Sequence, residues 1–234
     1  MFKVFRATSA LALITVCCSC GTAPLAATVK LGESALRETS GLAVSRVQPQ
    51  LLWMHNDGNH PASLYALAAD GSPRARLKLR GTRNRDWEDM ASFRWRGQSW
   101  LLVADIGDNS AKHKKSTLHF IEEPELSDTF AKLKIKPTLS VNFRYPDGPR
   151  DAESIAFDPL SESVLILSKR DRPGQLYSLD LVELFADPKG KHVATALGPL
   201  PWAGATPKLR TLLADPKRLV SHGMATGFDI SADG

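Results

Sequence analysis

Three short stretches of this 234-residue chain open on carboxylates and run at once into apolar residues: ETSGLA (38–43), DWEDMA (86–91) and DAESIA (151–156). Each precedes a second apolar run with a polar end: LLWMHND, WLLVADIGDN and VLILSKRD. In an antiparallel pair the start of one strand lies beside the end of the next. Glu88 then meets Asp105, 17 residues later; the same step links Glu38 to His55, and a step of 16 links Glu153 to Lys169. The first unit would supply Glu38, His55, Asn56 and Asp57 to one rim. The second would supply Asp86, Glu88, Asp89, Asp105, Asp108 and Asn109, and the third Asp151, Glu153, Lys169 and Arg170. Crowded carboxylates repel one another unless some are protonated or a cation sits among them. Ligation by oxygen alone favours a hard cation, calcium first.

On this reading Glu38, Glu88, Asp89, Asp105, Asp108, Asn109, Asp151 and Glu153 are candidate metal ligands. His55, Asp57, Lys169 and Arg170 are candidate substrate contacts, the two cations suiting a phosphoester or another anionic group. Glu88 or Glu153 would serve as base, with calcium polarising the substrate and orienting a water. A plainer reading stands beside this one. Acids at strand starts accept hydrogen bonds from nearby backbone amides and pin loops, and Lys169 can pair with Glu153 across its hairpin. DIGDN does not match an EF-hand loop. His55 and His60 lack a nearby cysteine or third histidine for a zinc site, and His60 reads as a loop residue. GxSxG, HExxH and P-loop motifs are all missing from the sequence, so serine-hydrolase, zincin and NTPase chemistry lack their signatures. Paired carboxylates also suit glycoside hydrolysis, whose geometry depends on a separation that sequence does not contain.

The elements that must position these groups are short. After each hairpin comes a third apolar stretch (SLYALAADG, STLHFIEEP, QLYSLDL) and a weaker fourth: ARLKL (75–79), VNFRY (141–145) and HVATAL (192–197). The runs are rich in β-branched, leucine and aromatic residues and are bounded by Gly, Pro, Asp and Ser, which predicts strands. Only LVELFAD (181–187) reads as helical. The acidic openers recur after 50 and then 65 residues. Four-stranded antiparallel units at such a period predict an all-β β-propeller, and the repeated opener favours it over a β-sandwich or open meander. GMATGFDISADG (223–234) begins a fourth unit and stops. A ring typically needs four to eight blades, so three blades and a fragment read as a C-terminally truncated propeller.

Residues 1–27 read as an export signal. Lys3 and Arg6 precede the apolar run Ala10–Val16 and then small residues, and the run is too short to span a bilayer. All three cysteines (Cys17, Cys18, Cys20) fall at its end. Cys20 fits the lipid-modified residue of a membrane-anchored lipoprotein, although Cys17-Cys18 makes a poor lipobox; the alternative is cleavage among Ala23, Ala26 and Ala27. The product is periplasmic, membrane-anchored or secreted, and residues 28–234 form the partial propeller, with no internal disulfide to staple it. The formal charge is +5, and setting aside Lys3 and Arg6 leaves about +3. Basic residues are scattered apart from RGTRNR (80–85) and KHKK (112–115), which read as solvated loops and give no nucleic-acid footprint.

WEDMA, ADIGDN and YPDGPRDAESIAFDP followed by LSKR resemble a group of bacterial exported β-propeller proteins, and ETSGLA with LLWMHNDG and LYALAADG looks like that group's first blade. The resemblance spans residues 33–234 and implies six blades when complete. The group is more distantly similar to calcium-dependent propeller phytases, esterase-like phytase proteins and lactonase-type and NHL propellers. Glu88, Asp89, Asp105, Asp108, Asn109, Asp151 and Glu153 sit in the shared motifs, while function transfers poorly between propellers. Two readings follow. One is a binding protein that takes a small anionic ligand, an envelope protein or a glycan at an acidic, calcium-occupied channel mouth. The other is a calcium-dependent hydrolase of phosphoesters, esters or lactones.

Overall fold

The computed structural model describes residues 29–200. The proposed signal with its cysteines and the stretch 223–234 lie outside them. In chain order the strands are β1 Thr39–Val44, β2 Leu51–Asn56, β3 Ser63–Ala68, β4 Pro73–Leu79, β5 Trp87–Trp95, β6 Gln98–Asp105, β7 Ser116–Glu122, β8 Ala131–Ile135 and β9 Leu139–Arg144. Next come β10 Ala152–Asp158, β11 Ser163–Ser168, β12 Gln175–Asp180, the helix α1 Leu181–Ala186, β13 His192–Val193 and β14 Thr195–Pro199. The molecule is all-β apart from this one described turn of helix, whose Asp180 N-cap accepts the Glu183 N–H at 3.1 Å. No helix among the described residues is long and apolar enough to cross a membrane.

Three sheets follow one another along the chain, in the strand orders β1-β2-β3-β4-β8, β13-β9-β7-β6-β5 and β10-β11-β12-β14. This arrangement is propeller-like, with two departures from the expected units of four. β8 crosses back to lie parallel to β4, so the first sheet gains a fifth strand that apolar patterning did not mark. The stretch HVATAL divides: His192–Val193 runs parallel to β9 in the second sheet, and Thr195–Pro199 completes the third against β12. Such a switch of partners lies in backbone hydrogen bonding, which leaves no trace in hydropathy.

All three acidic openers share one irregularity. Thr39 pairs with Asn56 but Leu42 with Met54; Trp87 pairs with Asp105 but Asp89 with Ala104; Ala152 pairs with Ser168 but Ser154 with Leu167. Each first strand therefore carries one extra residue in the same place. Such a β-bulge bends the strand and re-aims its side chains. The bulge also corrects the alignment of the repeat. Glu38, Asp86 and Asp151 are equivalent, each one residue before the first pair, while Glu88 and Glu153 occupy the extra position. The first sheet has Ser40–Gly41 there, so the openers match letter by letter, two residues away from the alignment that equated Glu38 with Glu88 and Glu153.

By packing, the chain falls into two units, residues 29–105 with Leu118–Ser140 and Ile106–Thr117 with residues 141–200. In the first, period-2 alternation separates two apolar faces. Trp53, Leu64, Ala66, Leu77 and Leu79 join Trp87, Met90, Leu101 and Val103 in one cluster. Met54, Tyr65 and Leu67 point the other way and pack under Leu36. β5 and β6 join through Arg96-Gly97, both at positive φ (49° and 79°), the two-residue turn whose twist suits a hairpin. In the second unit Tyr145 stacks edge-on against Phe143 and Tyr177, with centroids 5.3 and 4.8 Å away.

Candidate functional site

The polar strand ends form two groups, one in each unit. In the first unit β2 ends on Asn56, which is buried and bonded to the backbone through both ends of its amide. Its Oδ1 accepts the Arg37 and Glu38 N–H groups at 2.9 and 3.2 Å, and its Nδ2 donates to the Ala35 carbonyl at 2.7 Å. Asn84 repeats the device between β2 and β5. Its Nδ2 donates to the Asp57 carbonyl at 2.8 Å and its Oδ1 accepts the Trp87 N–H at 3.0 Å. The two asparagines hold the residues after β2 against the start of β5.

That docking brings three carboxylates together. One oxygen from each of Asp57, Asp86 and Glu88 lies within 4.8 Å of the others, with Glu88 buried and the two aspartates partly so. Gly58 is what lets the loop come so close, because a β-carbon there would lie 2.4 Å from Asp86 Oδ1. Asp105, at the end of β6, is buried beside them but engaged in holding the turn. It accepts the Asp86 N–H at 3.0 Å and lies 3.5 Å from Arg85 Nε. Asp89 accepts its neighbour Met90's N–H at 2.8 Å. Glu38, by contrast, is largely exposed and bonds to His60 Nε2 at 2.8 Å, so the loop histidine is its hydrogen-bond partner.

His55 is completely buried. Its Nδ1 meets the Asn56 carbonyl at 2.8 Å, and its ring stands edge-on to Trp87 with centroids 5.5 Å apart. Trp87 also neighbours the buried His119, with centroids 6.0 Å apart. Burial lowers the pKa of both histidines, that of His119 to about 4, so both are neutral core groups at neutral pH. As folded, His55 has no surface to offer a substrate.

In the second unit the acids are matched by cations. Asp151 is buried and accepts the Asp108 N–H at 2.9 Å and Arg170 Nε at 2.6 Å. Arg170 also donates through Nη2 to Asn109 Oδ1. Lys169 pairs with Glu153, both mostly buried. Asp108 takes the His113 N–H at 2.6 Å and lies 3.1 Å from His113 Nδ1. Arg150 bridges Asp147 and Asp171 at 2.6 and 2.9 Å. Burial works against ionisation of Asp147, yet hydrogen bonds from Arg150 and Tyr177 outweigh it and hold its pKa below the usual range.

The structure thus brings Glu88 together with Asp57, placed by sequence with the substrate contacts, and with Asp86, a rim residue left out of the candidate ligands. Aligning the openers letter by letter would have marked Asp86, since it stands where Asp151 stands in the next repeat. No family model matches the chain, and no curated protein does. Among solved structures, a crystal structure of the Chaetomium thermophilum polycomb repressive complex 2 is similar over 63% of this chain, at 15% identity and a TM-score of 0.39. The match spans 28% of that chain.

Proposed function

We propose that this chain is an exported propeller-type binding protein that holds a hard divalent cation, calcium first, among Asp57, Asp86 and Glu88. The observation that carries this reading is the approach of their three oxygens to within 4.8 Å of one another. Carboxylates gathered so closely repel, and a cation between them turns the repulsion into ligation. Calcium takes six to eight oxygens, so three protein ligands leave positions for water and for an oxygen of an anionic ligand. Export directed by the segment 1–27 and a β-propeller architecture belong to the same proposal.

Binding is preferred to hydrolysis because of the second unit. Glu153 and Lys169, which a hydrolase would use as base and anion holder, are paired with each other, and Arg170 is committed to Asp151 and Asn109. Calorimetric titration of calcium into the chain tests the proposal. Glu88→Gln and Asp86→Asn are expected to weaken binding at least about tenfold, near 1.4 kcal/mol, while Glu153→Gln leaves it unchanged. No binding by the unaltered protein, or an equal loss on Glu153→Gln, would reject it.

A further inference from the structure

The basic run KHKK is exposed, as a solvated loop should be, and three of its residues also border a cavity. His113, Lys114, Lys115 and Arg144 help line an open cavity of about 490 Å³ in the second unit, and none of the residues lining it is a carboxylate. Its floor includes Ser116 and Tyr145, both buried, and its wall Pro146, Pro149 and Val193. The loop is held in place from below. Asp108, itself buried, accepts the His113 N–H at 2.6 Å and faces its Nδ1 at 3.1 Å. Ala111 adopts a left-handed φ of 48° as its N–H closes a turn onto the Asp108 carbonyl at 2.8 Å. A non-glycine residue in that region is uncommon, and such conformations persist where the surroundings enforce them. The buried Tyr145 hydroxyl faces the Ser116 hydroxyl at the edge of the cavity, and either hydroxyl can donate to an anionic ligand.

We propose that this cavity binds a small organic oxyanion, a phosphate monoester being the best match. Lys114 and Arg144, with Lys115 beside them, bring more positive charge to one cavity than a single carboxylate needs and suit a doubly charged group. Arg144 offers a planar fork to two oxygens, while the lysines act as point charges. The two prolines and Val193 give the body of the ligand an apolar surface. The site is built from residues of the second unit alone and involves no reaction.

The test is titration of the full chain with inorganic phosphate, followed through its backbone amide NMR signals. Lys112 belongs to the same basic run but not to the cavity lining, so Lys112→Gln removes one charge without touching the site. Saturable binding that Lys114→Gln and Arg144→Gln each weaken about tenfold, with Lys112→Gln within about twofold, supports the proposal; tenfold is about 1.4 kcal/mol. Equal weakening by Lys112→Gln would show diffuse charge and overturn it, as would no saturation at millimolar phosphate. Glucuronate in place of phosphate reads the charge requirement, and tighter binding of that monoanion would overturn the phosphate assignment. An unchanged melting temperature in each variant keeps loss of fold out of the comparison.

Discussion

The imidazole of His55 stands where a side chain at position 41 would have to go: a β-carbon on Gly41 would lie 2.2 Å from His55 Nε2 and 2.9 Å from the Met90 nitrogen. The bulge of the first sheet and the buried ring are thus fitted to each other. Gly41→Ala is expected to destabilise the protein by about 1–3 kcal/mol through overpacking. His55→Ala removes the nearest obstacle, so the double variant should lose less than the sum of the two single changes. Strict additivity in urea denaturation would mean that the two positions do not touch.

Stability should fall in mild acid. His55 and His119 are neutral when folded because burial holds their pKa values down, that of His119 to about 4, against 6.5 in the exposed state. Between those values the unfolded chain binds more protons, so stability is complete above the unfolded pKa and is lost as pH falls below it. For His119 the full loss is about 3 kcal/mol. Denaturation followed from about pH 7 to about pH 5 should show the decline, and His119→Gln should flatten it. An unaltered slope in that variant would contradict the assignment.

Lys169 and Glu153 face each other with side-chain exposures of only 14% and 10%. Removing one partner leaves a poorly solvated charge, so Lys169→Met and Glu153→Gln should each destabilise by about 3 kcal/mol. Replacing both with methionine should cost markedly less than either single change predicts. Melting curves for the three variants decide whether the pair is internal structure or a site awaiting an anion.

Gly58 tests the acidic cluster without deleting a carboxylate. A methyl group there would come within 2.4 Å of Asp86 Oδ1 and 2.9 Å of the Arg85 carbonyl. Gly58→Ala should displace Asp86 and weaken calcium binding on the order of tenfold. Calorimetry would show the loss, and unchanged affinity would place any calcium away from Asp86.

Much of the architecture is legible in the residues themselves. Apolar runs such as WLLVAD and VLILS, set between turn residues, became β6 and β11, and LVELFA became the one described helix behind its Asp180 cap. Hairpin pairing at the acidic openers also follows from sequence order, because neighbouring strands joined by short turns have little choice of partner. The strand β8 was hidden. AKLKI is short and half polar, and its parallel pairing with β4 depends on an edge that earlier strands create.

The carboxylates mark the boundary between the two kinds of information. Sequence alone determined that acids recur at the strand starts, since residue type and spacing are written in it. Which acids meet was decided by tertiary structure. One extra residue in each first strand re-aims the side chains, Gly58 lets Asp57 approach Asp86, and Arg170 and Lys169 neutralise the equivalent acids of the third sheet. Charge acts through distance and surroundings, and both are set only when separate strands close on one another.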